Sequence, residues 1–246
     1  MKKNLLHEII ENIKTILYAL IIAVAIRSLF FQPFYIPSSS MEPTLLIGDR
    51  IFVSKYSYGY SKHSFPFSPP LFKKRLFENA PSYGDLVVFK TPADNRTDYI
   101  KRLIGMPGDE IQFQNGNLVL NNNLLPKTKI EKEYKIRCGS LSHNVNAFKE
   151  TLPNGKKYIA VYKKTGTMLN SDKYKVPPNH FFFLGDNRDC SKDSRYLSSV
   201  GYVSNENLVG NAKIIFFSND TISGSVLKFW NWDKSFRIER FFNLLK

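Results

Sequence analysis

The sequence predicts a mainly β protein, in which an antiparallel β-sheet domain carries a small inserted subdomain and follows one N-terminal membrane-spanning helix. Three observations lead to this fold class. A charge-poor apolar run lies near the N-terminus. Short segments rich in β-branched and aromatic residues follow it, and Gly, Pro, Asn or Asp bound them. No sustained helical period and no internal repeat interrupts these segments before the C-terminus.

The apolar run covers residues 15–31, and Arg27 is its only charged residue. This length is at the lower edge of what spans a bilayer, and an arginine near the far end can reach the headgroups. Lysines precede the run, which predicts a cytoplasmic N-terminus. We therefore expect residues 1–14 inside the cell, one membrane anchor at 15–31, and residues 32–246 exported.

Two other interpretations of the run were weighed. A cleaved signal peptide is disfavoured because bulky residues, FFQPFYIP, follow the run where a cleavage site needs small ones. A buried helix of a soluble domain stays open because the charge-free part of the run is short.

Eight segments of the exported part have the composition and the boundaries of β-strands. They are Arg50–Val53, Leu86–Phe89, Tyr99–Ile104, Glu110–Phe113, Asn117–Leu120, Tyr158–Tyr162, His180–Leu184 and Ala212–Phe216. Residues 57–83 are aromatic, basic and Pro-rich, which predicts a long irregular loop. Residues 121–176 are polar and Lys-rich, which predicts the inserted subdomain.

The C-terminal residues carry a stripe of apolar side chains with helical spacing. This spacing predicts a short amphipathic helix, which could lie on the membrane or close the domain core. We also expect two tryptophans and the surplus of Lys and Arg to hold the domain against anionic lipid. The stripe consists of Ile238, Phe241, Phe242 and Leu245, and the tryptophans are Trp230 and Trp232.

Composition limits the classes of function. Hydrophobic residues make up 43% of the 246 residues, so the chain can bury a core and is not disordered. The net charge of +14 favours an anionic partner, either nucleic acid or a membrane surface. With only two Cys and four scattered His, we expect no metal site and no cofactor.

Two residues suggest nucleophilic catalysis without histidine. Ser40 lies in a serine triplet shortly after the apolar run, and Lys101 lies inside an apolar predicted strand. A lysine that faces inward loses hydration, which lowers its pKa and lets a neutral amine activate a serine hydroxyl. The alternative is that Lys101 faces outward on a half-exposed strand and is an ordinary solvated cation.

Four segments in order resemble the signature boxes of bacterial signal peptidase I, the leader peptidase, and the anchor before the first box matches as well. The segments are IPSSSMEPTL (36–45), YGDLVVF (83–89), DYIKRLIGMPGDEI (98–111) and GDNRDCSKDSR (185–195). The resemblance implies that Ser40 is the acyl-forming nucleophile and Lys101 the general base. It implies that the Ser38 hydroxyl and the Ser40 backbone N–H form the oxyanion hole.

The resemblance also assigns supporting roles within the last box. Ser191 would orient the lysine amine, and Asp193 and Arg195 would form a supporting ion pair. Asp186 and Arg188 belong to the same box, where we expect scaffolding rather than chemistry. Two further positions stay open: Cys190 could be a free thiol or could pair with Cys138.

Substrate pockets follow from the same resemblance, although each residue could also be ordinary core. Shallow apolar pockets would accept small side chains, as an A-x-A cleavage rule requires. The substrate would lie extended as an added strand beside residues 34–40 and 98–101. The pocket residues are Phe34, Ile36, Met41, Leu45, Ile51, Val88, Tyr99 and Ile100.

The resemblance thus implies a membrane-anchored serine endopeptidase that removes signal peptides from exported preproteins at the outer face of the bacterial inner membrane. The expected partners are these preproteins and the lipid bilayer, without nucleic acid, and the protein would be a monomer. Two alternatives are kept: a non-catalytic basic protein that binds membrane or nucleic acid, and a self-cleaving repressor-type serine–lysine protease.

Overall fold

The chain begins with one long helix, α1 (Lys2–Leu29), in a computed structural model that describes residues 2–70, 74–139, 141–164, 168–220 and 235–245. Its 28 residues extend about 42 Å, which exceeds the hydrocarbon thickness of a bilayer. The part from His7 to Leu29 is apolar enough to cross a membrane, and its most apolar stretch is not buried against the domain. The interpretation as a buried core helix is therefore wrong. The predicted end at Phe31 is also wrong, because Phe31 already begins the first strand.

Fifteen strands follow among the described residues. They are β1 (Phe31–Tyr35), β2 (Asp49–Ser54), β3 (Leu86–Lys90), β4 (Asp98–Gly105), β5 (Glu110–Gln114), β6 (Asn117–Leu120), β7 (Asn123–Leu124), β8 (Lys127–Cys138), β9 (Leu141–Thr151), β10 (Lys157–Lys163), β11 (Tyr174–Lys175), β12 (His180–Leu184), β13 (Val203–Ser204), β14 (Leu208–Ser218) and β15 (Asn243–Leu244). All eight predicted strands are present, most of them longer by a residue or more at the ends.

The largest sheet has eight strands in the order β1-β2-β14-β3-β4-β12-β13, with β15 paired to β14. Its strand pairs are antiparallel, as predicted. The sheet is covered on both faces, because neighbouring residues of one strand enter different apolar clusters. Val87 packs with Phe89 and Leu103, whereas Val88 packs with Ile36 and Ile51. Such alternation fixes the register of each strand.

Residues 121–176, the predicted inserted subdomain, divide between two smaller sheets. One is β10-β9-β8, and the other, β11-β5-β6-β7, includes strands from outside the range. The region shares a core with the main sheet, since Leu152 and Tyr158 pack in one cluster with Ile104 and Phe182. The long hairpin of β8 and β9 was not among the predicted strands, because β8 is mostly polar in sequence and half of its residues are exposed.

The predicted irregular loop at 57–83 contains no strand in its described part, only one 3-10 turn at Lys62–Ser64. The predicted C-terminal helix is wrong. Ile238–Arg240 forms a single 3-10 turn, Phe242 adopts φ +58°, which an α-helix does not allow, and β15 then pairs with β14. Only Leu245 of the stripe packs against an apolar core cluster. Trp230 and Trp232 lie outside the described residues.

Candidate active site

Three segments of the main sheet converge at one place: the loop after β1 with Ser40, strand β4 with Lys101, and the loop after β12 that covers residues 185–195. The loop after β1 is pinned on both sides of Ser40. Ile36 bonds through its backbone N–H to Asp49 O, and Met41 is fully buried in the core. The apolar residues around the serine therefore fix its position.

The Ser40 hydroxyl and the Lys101 amine are in direct contact. Lys101 Nζ lies 2.7 Å from Ser40 Oγ and donates a hydrogen bond of 2.8 Å to Ile100 O. The lysine side chain is almost fully buried, with 3% of the residue exposed. The alternative of an outward, solvated Lys101 is therefore wrong.

Burial lowers the pKa of Lys101 from 10.5 to about 8, because the ammonium form loses its hydration. The carboxylates of Asp193 and Asp186 oppose this shift and keep it from going further. An amine with a pKa near 8 is partly neutral at physiological pH, and the neutral form can accept the proton of a serine hydroxyl. The two groups therefore have the chemistry of a nucleophile and its base.

Two donors lie beside the serine hydroxyl. Ser38 Oγ is 3.3 Å from Ser40 Oγ, on the exposed side of the loop. The backbone N–H of Ser40 makes no hydrogen bond within the described part of the chain. Both groups are thus available to a developing oxyanion, which fits the pair expected from the sequence.

The loop after β12 is held by the expected ion pair. Asp193 accepts from Arg195 Nε at 2.7 Å and from the Gly185 backbone N–H at 3.0 Å. Burial by itself would raise the pKa of Asp193, but the Arg195 guanidinium outweighs burial and holds it below the usual value. The Asp193 carboxylate is near enough to Lys101 to raise the pKa of the lysine, against the effect of burial.

Ser191 occupies the site expected for the residue that orients the lysine, but the structure does not contain the expected hydrogen bond. Its hydroxyl is buried and makes no bond to Lys101, whose second partner is Ile100 O instead. Ser191 packs against Gly185. A Cβ at Gly185 would lie 2.2 Å from Ser191 Oγ and 2.5 Å from Ser40 O.

Sequence reasoning did not single out Gly185 and Asn187, although both lie in the last box. Gly185 lets the loop approach the serine, as the contacts above show. The Asn187 side chain donates to Ser39 O at 3.0 Å, and its backbone N–H donates to Ser40 O at 3.2 Å. These two residues fasten the serine loop to the loop after β12. The sequence Gly-Asp-Asn at this turn could have indicated both residues, because glycine allows a close approach and asparagine can bond to a neighbouring backbone.

Asp186 and Arg188 have the scaffolding contacts expected of them. Arg102 grips Asp186 through two bonds of 2.7 Å, and Arg188 donates to Glu150 at 2.7 Å. Both pairs are almost completely buried. Because Glu150 belongs to β9, the second pair joins the inserted region to the loop after β12.

A groove of about 580 Å³ leads to the serine between the segment 34–41 and the segment 97–101. Seven of the eight predicted pocket residues line it. Leu45 does not, because it is fully buried in the core behind the groove. The predicted residues that line the groove are Phe34, Ile36, Met41, Ile51, Val88, Tyr99 and Ile100; the additional ones are Tyr35, Pro37, Thr97, Asp98, Cys190 and Lys192.

The two cysteines form a disulfide, which decides the question left open by the sequence. Cys138 ends β8, and Cys190 directly precedes Ser191. The bond therefore ties the β8–β9 hairpin to the rim of the groove. Glu42 makes a second tie, since its carboxylate accepts from the Arg137 backbone N–H at 2.8 Å.

A serine hydroxyl beside a buried lysine amine, at the bottom of an apolar groove, defines the class of serine–lysine hydrolases. Comparisons with known proteins narrow this class. The family model described as signal peptidase, peptidase S26, matches residues 9–217. The chain is 41% identical to Signal peptidase I of Rickettsia typhi over 246 residues, covering 93% of this chain and 90% of that protein.

A second Rickettsia relative gives the same result. Signal peptidase I of Rickettsia bellii is 39% identical over 251 residues, covering 94% of this chain and 84% of that protein. A crystal structure of a signal peptidase I from Enterococcus faecalis also matches, at 25% identity and a TM-score of 0.31, over 54% of this chain and 97% of that one. The chain belongs to the signal peptidase family, peptidase S26, which confirms the resemblance seen in its sequence.

Proposed function

We propose that this protein is a membrane-anchored serine endopeptidase that cleaves signal peptides from exported preproteins. The observation that carries the proposal is the 2.7 Å contact between Ser40 Oγ and the buried Lys101 amine at the floor of an apolar groove. Membership of the signal peptidase family supplies the substrate class.

The mechanism proceeds through an acyl-enzyme. Ser40 Oγ attacks the scissile carbonyl carbon while neutral Lys101 takes the hydroxyl proton. The Ser40 backbone N–H and the Ser38 hydroxyl stabilise the resulting oxyanion. When the tetrahedral intermediate collapses, the Lys101 ammonium returns the proton to the leaving amine. Neutral Lys101 then takes a proton from a water molecule, whose oxygen attacks the ester carbonyl carbon. As this second tetrahedral intermediate collapses, the bond to Ser40 Oγ breaks, the Lys101 ammonium returns the proton to Ser40 Oγ, and the signal peptide leaves with a new carboxyl terminus.

The groove selects small side chains just before the cut. The wall of the groove near the serine is apolar and shallow, and it is formed by Ile36, Met41 and Ile100. A large side chain would overlap with this wall. The substrate lies extended between the segments 34–40 and 98–101 and adds backbone hydrogen bonds to them. Alanine at both outer positions of the A-x-A pattern is small enough for the shallow apolar wall and compatible with an extended backbone.

The topology proposed here places the N-terminus in the cytoplasm, α1 in the bilayer and the sheet domain on the outer face as a monomer. The lysines before the span support this orientation. Ser40 follows the end of α1 at Leu29 by only a short segment, so the nucleophile is close to the membrane surface where a signal peptide emerges. Because α1 would hold the domain at the bilayer, the surplus of basic residues favours contact with anionic lipid rather than with nucleic acid.

The test is cleavage of a preprotein by the purified full chain and its variants. Ser40→Ala and Lys101→Ala are expected to lower kcat by about 1,000-fold or more, and Ser38→Ala by roughly 10- to 1,000-fold. Lys192→Ala is the matched control, because Lys192 lines the same groove but is exposed, and it should retain most activity. Full activity of either dyad variant would refute the proposed dyad, and no cleavage by the wild-type chain would favour a non-catalytic binding protein. Cleavage of the chain itself without a preprotein would favour the self-cleaving alternative.

A further inference from the structure

A second cavity, of about 540 Å³, lies between the end of α1, the loop after β2 and the turn between β3 and β4. We name it the anchor-side cavity; Arg27, Gln32, Lys62, His63, Phe67 and Arg96 are among its lining residues. It shares Phe34 and Asp98 with the substrate groove. The anchor-side cavity is therefore the neighbour of the groove on the membrane side.

The lining of this cavity carries unpaired positive charge. Arg27, Lys62 and Arg96 form no side-chain ion pair with any residue that the structure describes. The fourth cation, Lys90, is neutralised by Asp98 at 2.9 Å. The remaining carboxylate, Asp94, accepts hydrogen bonds from the backbone of its own turn. The charged side chains of the lining that lack an ion-pair partner among the described residues therefore carry a net positive charge.

Two buried groups with incomplete partners belong to this lining or contact it: His63 lines the cavity, and Lys55 contacts His63. His63 is 5% exposed; its Nδ1 bonds to Ser68 at 2.9 Å, whereas its Nε2 is buried without a partner among the described residues. Lys55 is 1% exposed, and within the described part of the chain its ammonium donates one hydrogen bond, to His63 O at 3.2 Å. Burial, together with neighbouring cations such as Lys62 and Lys90, lowers the pKa of His63 to about 4. An anion in the cavity would offset the buried positive charge of Lys55 and could accept a hydrogen bond from His63.

The location of the cavity identifies the anion. Arg27 belongs to the last turn of α1, so the cavity opens where the membrane-spanning helix leaves the bilayer. Phe67, which lines the cavity, is fully exposed, and Phe30 and Phe31, which lie in the chain between the lining residues Arg27 and Gln32, are also exposed. Exposed aromatic side chains next to cations are typical of a surface that meets lipid headgroups and the upper acyl chains.

We propose that the anchor-side cavity binds the phosphate headgroup of an anionic phospholipid, with Arg27, Lys62 and Arg96 as its cationic contacts and Phe67 against the acyl chains. The bound lipid would hold the end of α1 against the domain beside the entrance of the substrate groove. This proposal rests on the membrane anchoring proposed above, but not on the catalytic roles of the dyad.

The test measures binding without cleavage. The full chain, in phosphatidylcholine nanodiscs and with labelled histidine imidazoles, is titrated with short-chain phosphatidylglycerol, and the His63 resonance is followed by NMR. We expect a saturable shift of this resonance. The double variant Lys62→Gln/Arg96→Gln should bind the lipid more weakly, so its half-saturation concentration should rise roughly tenfold or more. The control, Lys132→Gln/Lys135→Gln, removes the same charge from exposed residues of β8 and should stay within about twofold.

Three results would overturn the proposal. Equal weakening in the two double variants would mean that lipid is attracted by overall charge alone. An equal response to inorganic phosphate would mean that the cavity binds a free anion rather than a lipid. A His63 shift with a signal peptide that is acidic upstream of its cut, and none with phosphatidylglycerol, would make the cavity a substrate subsite. Each of these outcomes leaves preprotein cleavage intact, so failure here is distinct from failure of the proposed function.

Discussion

The ammonium form of Lys101 cannot be hydrated where it lies. The side chain is buried, and its hydrogen-bond partners are Ser40 Oγ and Ile100 O, without a carboxylate in direct contact. The folded protein therefore holds this lysine in an unfavourable charge state at neutral pH. Active sites commonly sacrifice stability in this way, because the same desolvation that costs folding free energy makes the amine a base.

Replacing this lysine should therefore stabilise the fold while it abolishes activity. A pKa of about 8 in the folded state against 10.5 in the unfolded state costs about 3 kcal/mol at neutral pH. Since hydrogen bonds are also lost, Lys101→Met should raise the free energy of unfolding by about 1–3 kcal/mol. The unfolded wild-type chain binds more protons, so wild-type stability rises between pH 8 and 10.5 and the advantage of the variant disappears there.

Denaturant midpoints in detergent, measured at neutral and at strongly alkaline pH, check this prediction. Lys192→Met is the control, because Lys192 is exposed and should show no such pH-dependent gain. A Lys101→Met variant that is less stable than the wild type at neutral pH would contradict the proposed desolvation cost.

Gly185 gives a second prediction at the scale of one residue. The Cβ of Gly185→Ala would meet Ser191 Oγ and the Ser40 carbonyl, so the serine loop must move away from Lys101. A displacement near 1 Å in such a site costs roughly 100-fold in kcat. Gly155→Ala is the control, since its Cβ meets no atom within 4 Å and only its positive φ of 81° adds strain. Kinetics of both variants on one preprotein test this, and equal kcat values would contradict it.

Strand β4 shows what an element contributes and why only part of it was predictable. Lys101 faces the groove, whereas Arg102 faces the other side and pairs with Asp186. Both residues are buried, so the strand carries a charged residue on each face within an apolar run. Sequence alternation predicts the strand. It does not decide which face is buried, because that depends on the layers that cover the sheet.

The β8–β9 hairpin is the element that sequence patterns did not predict. Its few buried side chains, such as Ile136 and Val145, pack in a small cluster with Val161 rather than in the main core. A largely polar, Lys-rich segment has little hydrophobic periodicity, so its strands are defined by their pairing rather than by a pattern in the sequence. The same dependence left the pairing of Cys138 with Cys190 open until the fold was known.

The disulfide should stabilise this connection between elements. It closes a segment with a sequence separation of 52, for which the loss of chain entropy predicts about 4 kcal/mol. The double variant Cys138→Ser/Cys190→Ser should lose roughly that amount in chemical denaturation, and reduction of the wild-type protein should reproduce the loss. An unchanged midpoint after verified reduction would contradict the proposed role of the bond.

On the scale of the whole molecule, the sequence predicted the anchor, the antiparallel sheet and the order of the site segments. The apolar run and the four boxes depend on local composition, which a sequence displays directly. The details that required the fold are contacts between distant residues. Leu45 lies behind the groove, Ser191 does not bond to the amine, and Gly185 and Asn187 fasten the serine loop.

The proposed contact with lipid would account for part of the surplus of positive charge. The anchor-side cavity lies between helix α1 and the substrate groove. It shares Arg27 with the helix and shares lining residues with the groove. Cations lie near the membrane end of this series, where anionic headgroups can neutralise them. The groove itself is lined mostly by apolar residues.

The pH dependence of kcat/KM for preprotein cleavage by the full chain tests the central claim most directly, because only the neutral amine of Lys101 can activate Ser40. With a pKa of about 8 for Lys101, activity should fall about tenfold for each pH unit below that value and level off above it. A rate that stays constant from mildly acidic to mildly alkaline pH would contradict a neutral lysine as the base.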